Sequence, residues 1–597
     1  MHKIWLLFAL QTLLLCLAAV ARDTTRIYVL GIDIVGLLNM YRVERYHQLI
    51  NLLFLFSIWF KTRRKVKNMI RYLTTRRSIA TYCLLFIYAG LLMVYLEIVT
   101  SIYLYKYFLF PVVAAILIYW PYLFVEDPIK NPKGLVENEL NFSLLGEEGQ
   151  LLPIELPHAG IFIVGAPGCG KTKCVVEPIL FKMLQKGYAG VLYDYDFSSA
   201  IHEDNYSLTH LAYNCFTKFK TSKSQFVSIN FQDLSRSARI NPIDSESIQD
   251  RKRLSSCIKI LLLNLSPHLA QKEDFWYKNS YALLKSVIVY LCNNYPAYCT
   301  LPHAILLGLE DHSILMELLQ TDPEARLYAS PILDAYKQAP EQFAGVMANF
   351  KVLLEGLLDK NLFWVLSGSE VPLVVNDPNN PLVVCLGNTP TEKGILSPIL
   401  SMIMAVLIAN MYGHGRHKSF LMIDELPTIL LPNLNEVPAT ARKYDIATIV
   451  AMQNIPQLEK AYTDVGAREI QETFSNHFVG RGSFGLSKSL SDMIGKKDTE
   501  SVSTTKSDKS ISETTHHKES MIVSPQDAMT LKTGEFMGRV VHESGSFFKM
   551  HLKPIQDYSH DITYQNLKPL PAREDVIDVE ANFEQITSQI AEITSKN

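Results

Sequence analysis

Four long apolar stretches occupy the start of the 597-residue chain, at residues 4–21, 46–60, 78–96 and 107–125. The last two are nineteen residues each and contain no charged side chain. About twenty consecutive apolar residues cross the hydrocarbon core of a bilayer as a helix. The pattern therefore predicts a membrane region at residues 1–125 with about four transmembrane helices. The first stretch also fits a cleaved signal sequence, and that alternative stays open.

Residues 61–77, between the second and third stretches, hold eight Lys and Arg and no Asp or Glu. Loops rich in lysine and arginine stay on the cytoplasmic side of a membrane. The last two helices then form a hairpin that returns the chain to the cytoplasm at Glu126. We expect a multi-pass membrane protein whose chain from Glu126 onward lies in the cytoplasm.

From Glu126 onward, short apolar runs alternate with helical patterns, which is typical of a doubly wound α/β fold. The predicted strands are Ile161–Val164, Gly190–Tyr193, Phe226–Ile229, Leu382–Leu386, Phe420–Ile423, Thr448–Met452 and His477–Val479. Residues 245–368, between the third and fourth strands, carry no strand signal. Their helical segments are Leu254–Leu265, Phe275–Leu291, His312–Leu319, Ala329–Tyr336 and Gln342–Leu358. This interval predicts an all-α domain inserted into the α/β domain.

The predicted domain plan has five parts: the membrane region 1–125, the two α/β parts 126–244 and 369–560, the all-α insertion 245–368, and an acidic C-terminal tail 561–597. Residues 496–520 are almost entirely polar and predict a flexible surface loop. Apolar residues of the tail lie near helical spacing, which favours a solvated helix over a docking peptide.

Charge and cysteine content change this picture little. The net charge is −2 with a pI near 6.8, so gross charge neither proposes nor excludes a nucleic-acid partner. The nine cysteines include no C-x-x-C pair, and Cys169 and Cys174 have no histidine at zinc-finger spacing. We expect reduced thiols beyond the membrane region and no metal framework built from cysteine.

One segment matches G-x-x-x-x-G-K-[ST], the pattern of a phosphate-binding loop. Its residues are Gly165, Ala166, Pro167, Gly168, Cys169, Gly170, Lys171 and Thr172. An apolar strand precedes it and a helical pattern follows it, as such a loop requires. The pattern predicts that backbone N–H groups and Lys171 bind the phosphates of ATP, and that the Thr172 hydroxyl binds Mg²⁺.

A second motif, Phe420-Leu-Met-Ile-Asp424-Glu425, is an apolar strand that ends in two carboxylates. In phosphate-loop ATPases the first carboxylate holds Mg²⁺ through water, and the second polarises the attacking water. We therefore predict these roles for Asp424 and Glu425. Two carboxylates favour hydrolysis over passive binding.

Arg442 and Gln453 are further candidates beside the predicted strand Thr448–Met452. In ring-shaped ATPases an arginine of the neighbouring subunit neutralises charge on the γ-phosphate. Arg442 fits this role, with Arg239 and Arg468 as alternatives. Gln453 fits a γ-phosphate sensor, and a structural amide explains it equally well.

The order of these pieces resembles the type IV secretion coupling proteins, the TraG/TraD-like inner-membrane ATPases of conjugation. The motifs that carry the resemblance are the phosphate loop followed by Val175-Val-Glu-Pro178, Arg239-Ile-Asn-Pro242, Phe275-Trp276, Ile423-Asp-Glu-Leu-Pro427, Ala441-Arg-Lys-Tyr444 and Ala451-Met-Gln-Asn-Ile-Pro-Gln457-Leu458. Where the family usually has Asp-x-Lys-Gly, this chain has Asp194-Tyr-Asp196, which leaves that lysine's role without a residue.

The resemblance implies a RecA-like P-loop NTPase domain in a homo-hexamer at the bacterial inner membrane. It also implies sequence-nonspecific binding of DNA, contact with a relaxase or relaxosome, and delivery of the relaxase-bound strand to type IV secretion channel proteins. By this likeness, Arg442 is the arginine acting on the neighbouring site and Gln453 the sensor.

Three other functions remain as alternatives. A septal DNA translocase is disfavoured because the short acidic tail leaves no room for a C-terminal winged-helix DNA reader. A secretion-assembly ATPase usually lacks the membrane hairpin. A substrate-receptor platform that binds ATP with little turnover is disfavoured by Lys171, Asp424 and Glu425.

Overall fold

The computed structural model describes residues 137–200, 206–266, 274–483, 485–488, 491, 496–507, 510–521, 523–541 and 547–595, and the pairs 28–29 and 32–33. All four predicted membrane stretches lie outside the described residues. Among the described residues, one helix, Lys393–Met411, is long and apolar enough to cross a membrane by length and composition. Of its most apolar window, 67% is buried inside the protein. That burial is typical of a core helix.

The chain divides into two compact units, Met1–Pro128 and Ile129–Asn597. The described strands, in chain order, are β1 Tyr28–Val29, β2 Ile32–Asp33, β3 Phe142–Leu145, β4 Leu151–Ile154, β5 Ile161–Val164, β6 Ala189–Asp194, β7 Gln225–Ile229, β8 Asn376–Asp377, β9 Asn380–Gly387, β10 Ser419–Ile423, β11 Ile446–Met452, β12 Asn476–Val479, β13 Lys496–Ser507, β14 Ser510–Met521, β15 Glu535–Arg539 and β16 Phe547–His551. All seven predicted strands are confirmed.

The described helices, in chain order, are α1 Glu177–Gln185, α2 Leu208–Phe219, α3 Arg251–Leu265, α4 Phe275–Asn294, α5 Leu301–Leu309, α6 His312–Thr321, α7 Pro323–Gln338, α8 Pro340–Glu355, α9 Lys360–Leu366, α10 Lys393–Met411, α11 Val437–Ala441, α12 Ile455–Thr473, α13 Pro525–Met529 and α14 Val579–Ser595. The five predicted helical segments of the insertion are confirmed as α3, α4, α6, α7 and α8. Sequence reasoning missed α5 and α9.

Ten of the described strands form one sheet in the order β16-β15-β12-β5-β11-β10-β6-β9-β7, with β8 paired to β9. The seven strands from β12 to β7 are all parallel to their neighbours. The edge strands β15 and β16 run antiparallel. The carboxyl ends of the parallel strands therefore meet along one edge of the sheet, which is where open α/β sheets bind ligands.

The sheet is buried on both faces, as β5 shows. Its four residues are all buried, and they alternate between two apolar cores. Phe162 and Val164 join the core that contains α3 and α10, whereas Ile161 and Ile163 join the core that contains α1 and α2. Burial on both faces explains why the parallel strands are continuous apolar runs in the sequence.

The structure has two paired strands where the sequence predicted a flexible loop at residues 496–520. Strands β13 and β14 pair antiparallel over their whole length, from Lys496 opposite Met521 to Ser507 opposite Ser510. A two-stranded ladder satisfies backbone hydrogen bonds between its own strands and needs no apolar core for that purpose. Low hydrophobicity alone therefore did not exclude regular structure here.

The C-terminal tail is also different from the expected solvated helix. Helix α14 contacts α5 and α9 of the insertion. Its residues Ile586, Ile590 and Ile593 are each at most 2% exposed. The apolar face of the tail is thus docked on its own chain, because three isoleucines at helical spacing remove more apolar surface from water when they are covered.

Candidate nucleotide-binding site

The phosphate loop links β5 to a helix that begins with one π-helical turn, Thr172–Val176, and continues as α1. Gly168 and Gly170 have φ angles of 72° and 92°, which glycine adopts without strain. A Cβ at Gly170 would also lie 2.9 Å from the backbone nitrogen of Gly534, whereas a Cβ at Gly168 would meet open space. Position 170 therefore requires glycine for its φ angle and for lack of space, whereas position 168 requires it for its φ angle alone.

Neighbouring strands hold the loop by backbone hydrogen bonds. Gly165 N donates to Met452 O at 3.2 Å, and Ala166 N donates to Arg481 O at 2.8 Å. On the other side, Gly534 N donates to Cys169 O at 2.8 Å. The first N–H groups of the following helix have no partner within the helix and carry its positive dipole end. The geometry is that of an anion-binding loop.

Lys171 and Glu425 meet in this site. Lys171 Nζ lies 3.4 Å from Glu425 Oε2, and the two side chains are 12% and 7% exposed. A second oxygen, Glu425 Oε1, accepts a hydrogen bond from the backbone nitrogen of Gln453 at 3.3 Å. The structure thus brings three of the predicted residues together, because they follow the adjacent strands β5, β10 and β11.

Asp424 lies beside this pair and is partly buried, and its Oδ1 atom is shielded from solvent and has no hydrogen-bond partner among the described residues. Burial raises the pKa of Asp424 to about 7, against the charge of Lys171, while Asp194 and Glu425 raise it further. A buried carboxylate oxygen without a partner is costly unless a cation or hydrogen bond satisfies it. The residue therefore fits Mg²⁺, a cation that takes oxygen ligands.

No group of three or more His, Cys, Asp or Glu side chains suited to holding a metal occurs among the described residues. Mg²⁺ is usually held by one or two protein oxygens together with phosphate oxygens and water. Thr172 and Asp424 are the protein residues that could supply such oxygens here. The donor set fits a metal that arrives with a nucleotide.

Asp194, at the carboxyl end of β6, plays a structural part. Its Oδ2 atom accepts hydrogen bonds from both N and Oγ1 of Thr209, each at 2.8 Å. These bonds fix the first turn of α2 to the sheet. Burial raises the pKa of Asp194 to about 6. No lysine stands at the position where the resembling family has one.

Arg442 lies at the opposite edge of the sheet from the phosphate loop. It forms a 3-10 turn, Arg442–Tyr444, that precedes β11, whereas the loop is next to the end of β11 at Met452. A strand of seven residues spans roughly 20 Å. Arg442 is exposed, and its guanidinium makes no hydrogen bond or ion pair in the described part of the chain. The structure does not bring it to the site of its own subunit.

Arg239, one alternative to Arg442, is occupied within the fold. Its guanidinium donates to Trp364 O at 3.0 Å and to Ser367 Oγ at 2.7 Å. A third bond, to Asn582 Oδ1 at 3.1 Å, ties it to α14. These contacts give Arg239 a structural role at the tail.

Sequence reasoning missed several residues around the loop. Arg481 follows β12 at the same sheet edge, and a strand-end rule could have found it. Thr533 Oγ1 donates to Gly168 O at 3.1 Å, and no local signal marks that distant contact. Glu177, in the first turn of α1, accepts hydrogen bonds from Tyr206 Oη and Tyr564 Oη at 2.7 and 3.0 Å. Burial raises the pKa of Glu177.

Comparison with known proteins places this geometry in a family. Residues 151–545 match the sequence model of the type IV secretion-system coupling protein DNA-binding domain. The chain belongs to this coupling-protein family. The match includes the phosphate loop, the Asp424–Glu425 pair, Arg442 and Gln453.

Individual relatives are more distant. The coupling protein TraD of Escherichia coli (strain K12) is 23% identical over 239 residues, which cover 38% of this chain and 32% of TraD. The alignment thus spans about a third of the length of TraD. The solved coupling protein TrwBΔN70 in complex with sulphate has a TM-score of 0.55 at 15% identity, covering 73% of this chain and 92% of its own.

TrwB in complex with ADP and Mg²⁺ has a TM-score of 0.53 at 15% identity, covering 74% of this chain and 92% of its own. At such identities the likeness concerns the fold. It confirms the predicted fold class, a RecA-like P-loop NTPase domain with an inserted all-α domain.

Proposed function

We propose that this chain is a membrane-anchored coupling ATPase that delivers DNA, as a relaxase-bound single strand, to a type IV secretion channel of conjugation. The observation that supports this most is the meeting of Lys171, Asp424 and Glu425 at the phosphate loop. In that arrangement a cation, a buried metal-binding carboxylate and a second carboxylate converge where ATP phosphates would lie.

ATP and Mg²⁺ are the substrate and metal that these residues fit. Loop N–H groups and Lys171 bind the phosphates, and Thr172 and Asp424 hold the metal, which neutralises phosphate charge when bound. Glu425 accepts the proton of the attacking water. Its ion pair with Lys171 keeps the carboxylate at the site, and the backbone of Gln453 orients it. The TrwB structure with ADP and Mg²⁺ supports this choice of ligands.

The active unit is a homo-hexameric ring in which Arg442 reaches the site of the adjacent subunit. Three observations support this role: Arg442 is exposed, it has no partner among the described residues, and it is distant from its own phosphate loop. The Gln453 side chain senses the γ-phosphate from the end of β11. Family membership supports sequence-nonspecific DNA, the relaxosome and secretion-channel proteins as partners.

The apolar stretches before Glu126 support an anchor of several spans in the bacterial inner membrane. The basic segment 61–77 supports a cytoplasmic position for the ATPase domain. In this arrangement the ring stands at the inner face of the membrane, where both ATP and DNA are present.

A mating assay tests the proposed function. Donor cells whose DNA transfer depends on this chain would carry the full-length protein, Lys171→Ala, Glu425→Gln, or the control Lys337→Ala, which changes an exposed lysine of α7 far along the chain. We expect loss of transfer for the first two variants at equal protein levels and normal transfer for the control. Normal transfer with Lys171→Ala would refute the proposal.

A further inference from the structure

Two cysteines lie together at the base of the all-α insertion. Cys292 is in the last turn of α4, and Cys299 follows the short 3-10 turn Pro296–Tyr298. Both are free thiols; Cys292 is partly exposed and Cys299 is buried. Cys299 Sγ lies 4.0 Å from Ile288 O, the carbonyl one helical turn before Cys292. A pair with one accessible and one buried sulfur is the arrangement of an attacking and a resolving thiol.

Both sulfurs also contact the segment that joins the sheet to the insertion. Cys299 Sγ lies 3.4 Å from Ile243 O, and Cys292 Sγ lies 3.8 Å from Ser245 O. Asn241 Nδ2 donates to Cys299 O at 2.9 Å. This junction, residues 241–245, is thus held by the thiol pair as well as by its own backbone.

Arg251, the first residue of α3, places a fixed positive charge on Cys292. Its Nη1 lies 3.4 Å from Cys292 Sγ and also donates to Ile248 O at 3.1 Å. The remaining guanidinium donors bind Glu324 through two bonds and Asn293 through one, each at 2.8 Å. With all five donors engaged, the guanidinium cannot easily turn away from the sulfur.

This environment separates Cys292 from the other described cysteines. The neighbouring Cys299 thiol and then the Arg251 guanidinium lower the pKa of Cys292, against partial burial. Burial raises the pKa of Cys215, Cys257 and Cys385 instead. The thiolate is the reactive form of cysteine, so Cys292 has the chemistry of an accessible nucleophile.

We propose that Cys292 and Cys299 form a redox-sensitive dithiol that peroxide converts into an intramolecular disulfide. The Cys292 thiolate attacks one oxygen of hydrogen peroxide, breaks the O–O bond and becomes a sulfenic acid, with release of hydroxide. The Cys299 thiol then attacks that sulfur, forms the S–S bond and expels the hydroxyl group, which leaves as water with the Cys299 proton. The released hydroxide takes up the proton that Cys292 had lost, so that in total two thiols are oxidised and one peroxide is reduced to two waters.

The disulfide changes the junction because it has no S–H group. The carbonyl of Ile243 loses its sulfur donor. Arg251 loses the thiolate of Cys292 and keeps only Glu324 as an anionic partner. The junction at residues 241–245 is therefore held by fewer contacts. Intracellular disulfides of this kind are transient and serve redox sensing, and a reducing dithiol restores the pair.

Peptide mapping of the full-length protein in detergent tests the pair. After treatment with hydrogen peroxide and alkylation of free thiols, cleavage after Tyr298 separates the two cysteines unless a disulfide joins them. We expect joined fragments from the wild-type chain and from Cys257→Ser, and none from Cys292→Ser or Cys299→Ser. In Cys299→Ser, a dimedone probe should trap sulfenic acid on Cys292. Unjoined fragments from oxidised wild type would overturn the proposal.

Hydrogen exchange tests the effect on the junction. Oxidation should speed exchange at residues 241–250 by about tenfold or more, and a reducing dithiol should reverse it. The Cys292→Ser variant should show no response to peroxide. Joined fragments with unchanged exchange in this segment would contradict the claim that the pair holds the junction.

Discussion

At the scale of single residues, Asp424 has a carboxylate oxygen without a partner, which lowers the stability of the metal-free protein. This oxygen is shielded from solvent and has no partner in the described part of the chain, and the pKa of Asp424 is raised to about 7 from an ordinary 3.8. Between these values the folded protein binds more protons than the unfolded chain. Stability without metal therefore falls as pH rises from about 4 to about 7.

This argument predicts the effect of Asp424→Asn. The variant removes the ionisable group, so metal-free protein should gain on the order of 2 kcal/mol in free energy of unfolding near pH 8, with a smaller gain near pH 5. Urea unfolding with a metal chelator at both pH values measures this.

The same variant should lose Mg²⁺-dependent nucleotide binding. A gain in stability that is equal at both pH values would show that burial of the charge is not the cause. A variant that keeps full Mg²⁺-dependent binding would show that Asp424 does not hold the metal.

The two positive-φ glycines of the phosphate loop give a matched pair of substitutions. Gly170→Ala strains the backbone and places a Cβ 2.9 Å from Gly534 N, whereas Gly168→Ala strains the backbone into open space. We expect Gly170→Ala to weaken ATP binding at least about tenfold more than Gly168→Ala does. Equilibrium titration with a fluorescent nucleotide measures both. Equal losses would mean that the contact with Gly534 does not shape the loop.

At the scale of elements, prediction from sequence succeeded where a local pattern carries the information. Six of the seven parallel strands are buried almost throughout and appear as apolar runs, and the edge strand β7 is buried only in its last two residues. Helix α5 was missed because seven of its nine residues are buried, so it shows no polar face. The edge strands β15 and β16 lack a long continuous apolar run, because β15 has only three buried residues and in β16 buried residues alternate with partly buried ones.

The same reasoning applies to the site. The phosphate loop and the Asp424–Glu425 pair are contiguous motifs, so their chemistry could be predicted before their geometry. The contacts of Arg481 and Gly534 with the loop join residues more than 300 positions apart in sequence. Only the order of strands in the sheet brings these residues together, and no local sequence pattern specifies that order.

The docked tail gives a prediction at this scale. Ile590→Ala should remove apolar contact between α14 and the insertion and weaken docking by about 2–4 kcal/mol. Hydrogen exchange across residues 579–595 should then rise, while exchange in β5 stays the same. The control Val576→Ala changes a residue that is 93% exposed and should have no effect. Unchanged exchange in Ile590→Ala would mean that the tail helix is held by its polar contacts.

At the scale of the whole molecule, the position of Arg442 predicts an active site shared between subunits. Arg442→Ala alone should lower ATP turnover about 10³-fold or more, and Lys171→Ala should abolish it. Rings can also be assembled from equal amounts of Arg442→Ala and Lys171→Ala subunits. In such mixed rings, roughly a quarter of the interfaces combine an intact Lys171 with an intact Arg442 from the neighbouring subunit. Turnover should recover accordingly. The adjacent Lys443→Ala should behave as wild type, and rings without any recovery would place Arg442 outside the neighbouring site.

The central claim is that Lys171, Asp424 and Glu425 hydrolyse ATP, and ATP turnover by the purified full-length protein tests it most directly. Wild type, Lys171→Ala and Glu425→Gln would be compared as assembled rings, with and without single-stranded DNA. We predict turnover by wild type that DNA stimulates, none by Lys171→Ala, and nucleotide binding with about 10²–10⁴-fold slower turnover by Glu425→Gln. Wild-type turnover no higher than that of Lys171→Ala would contradict the account.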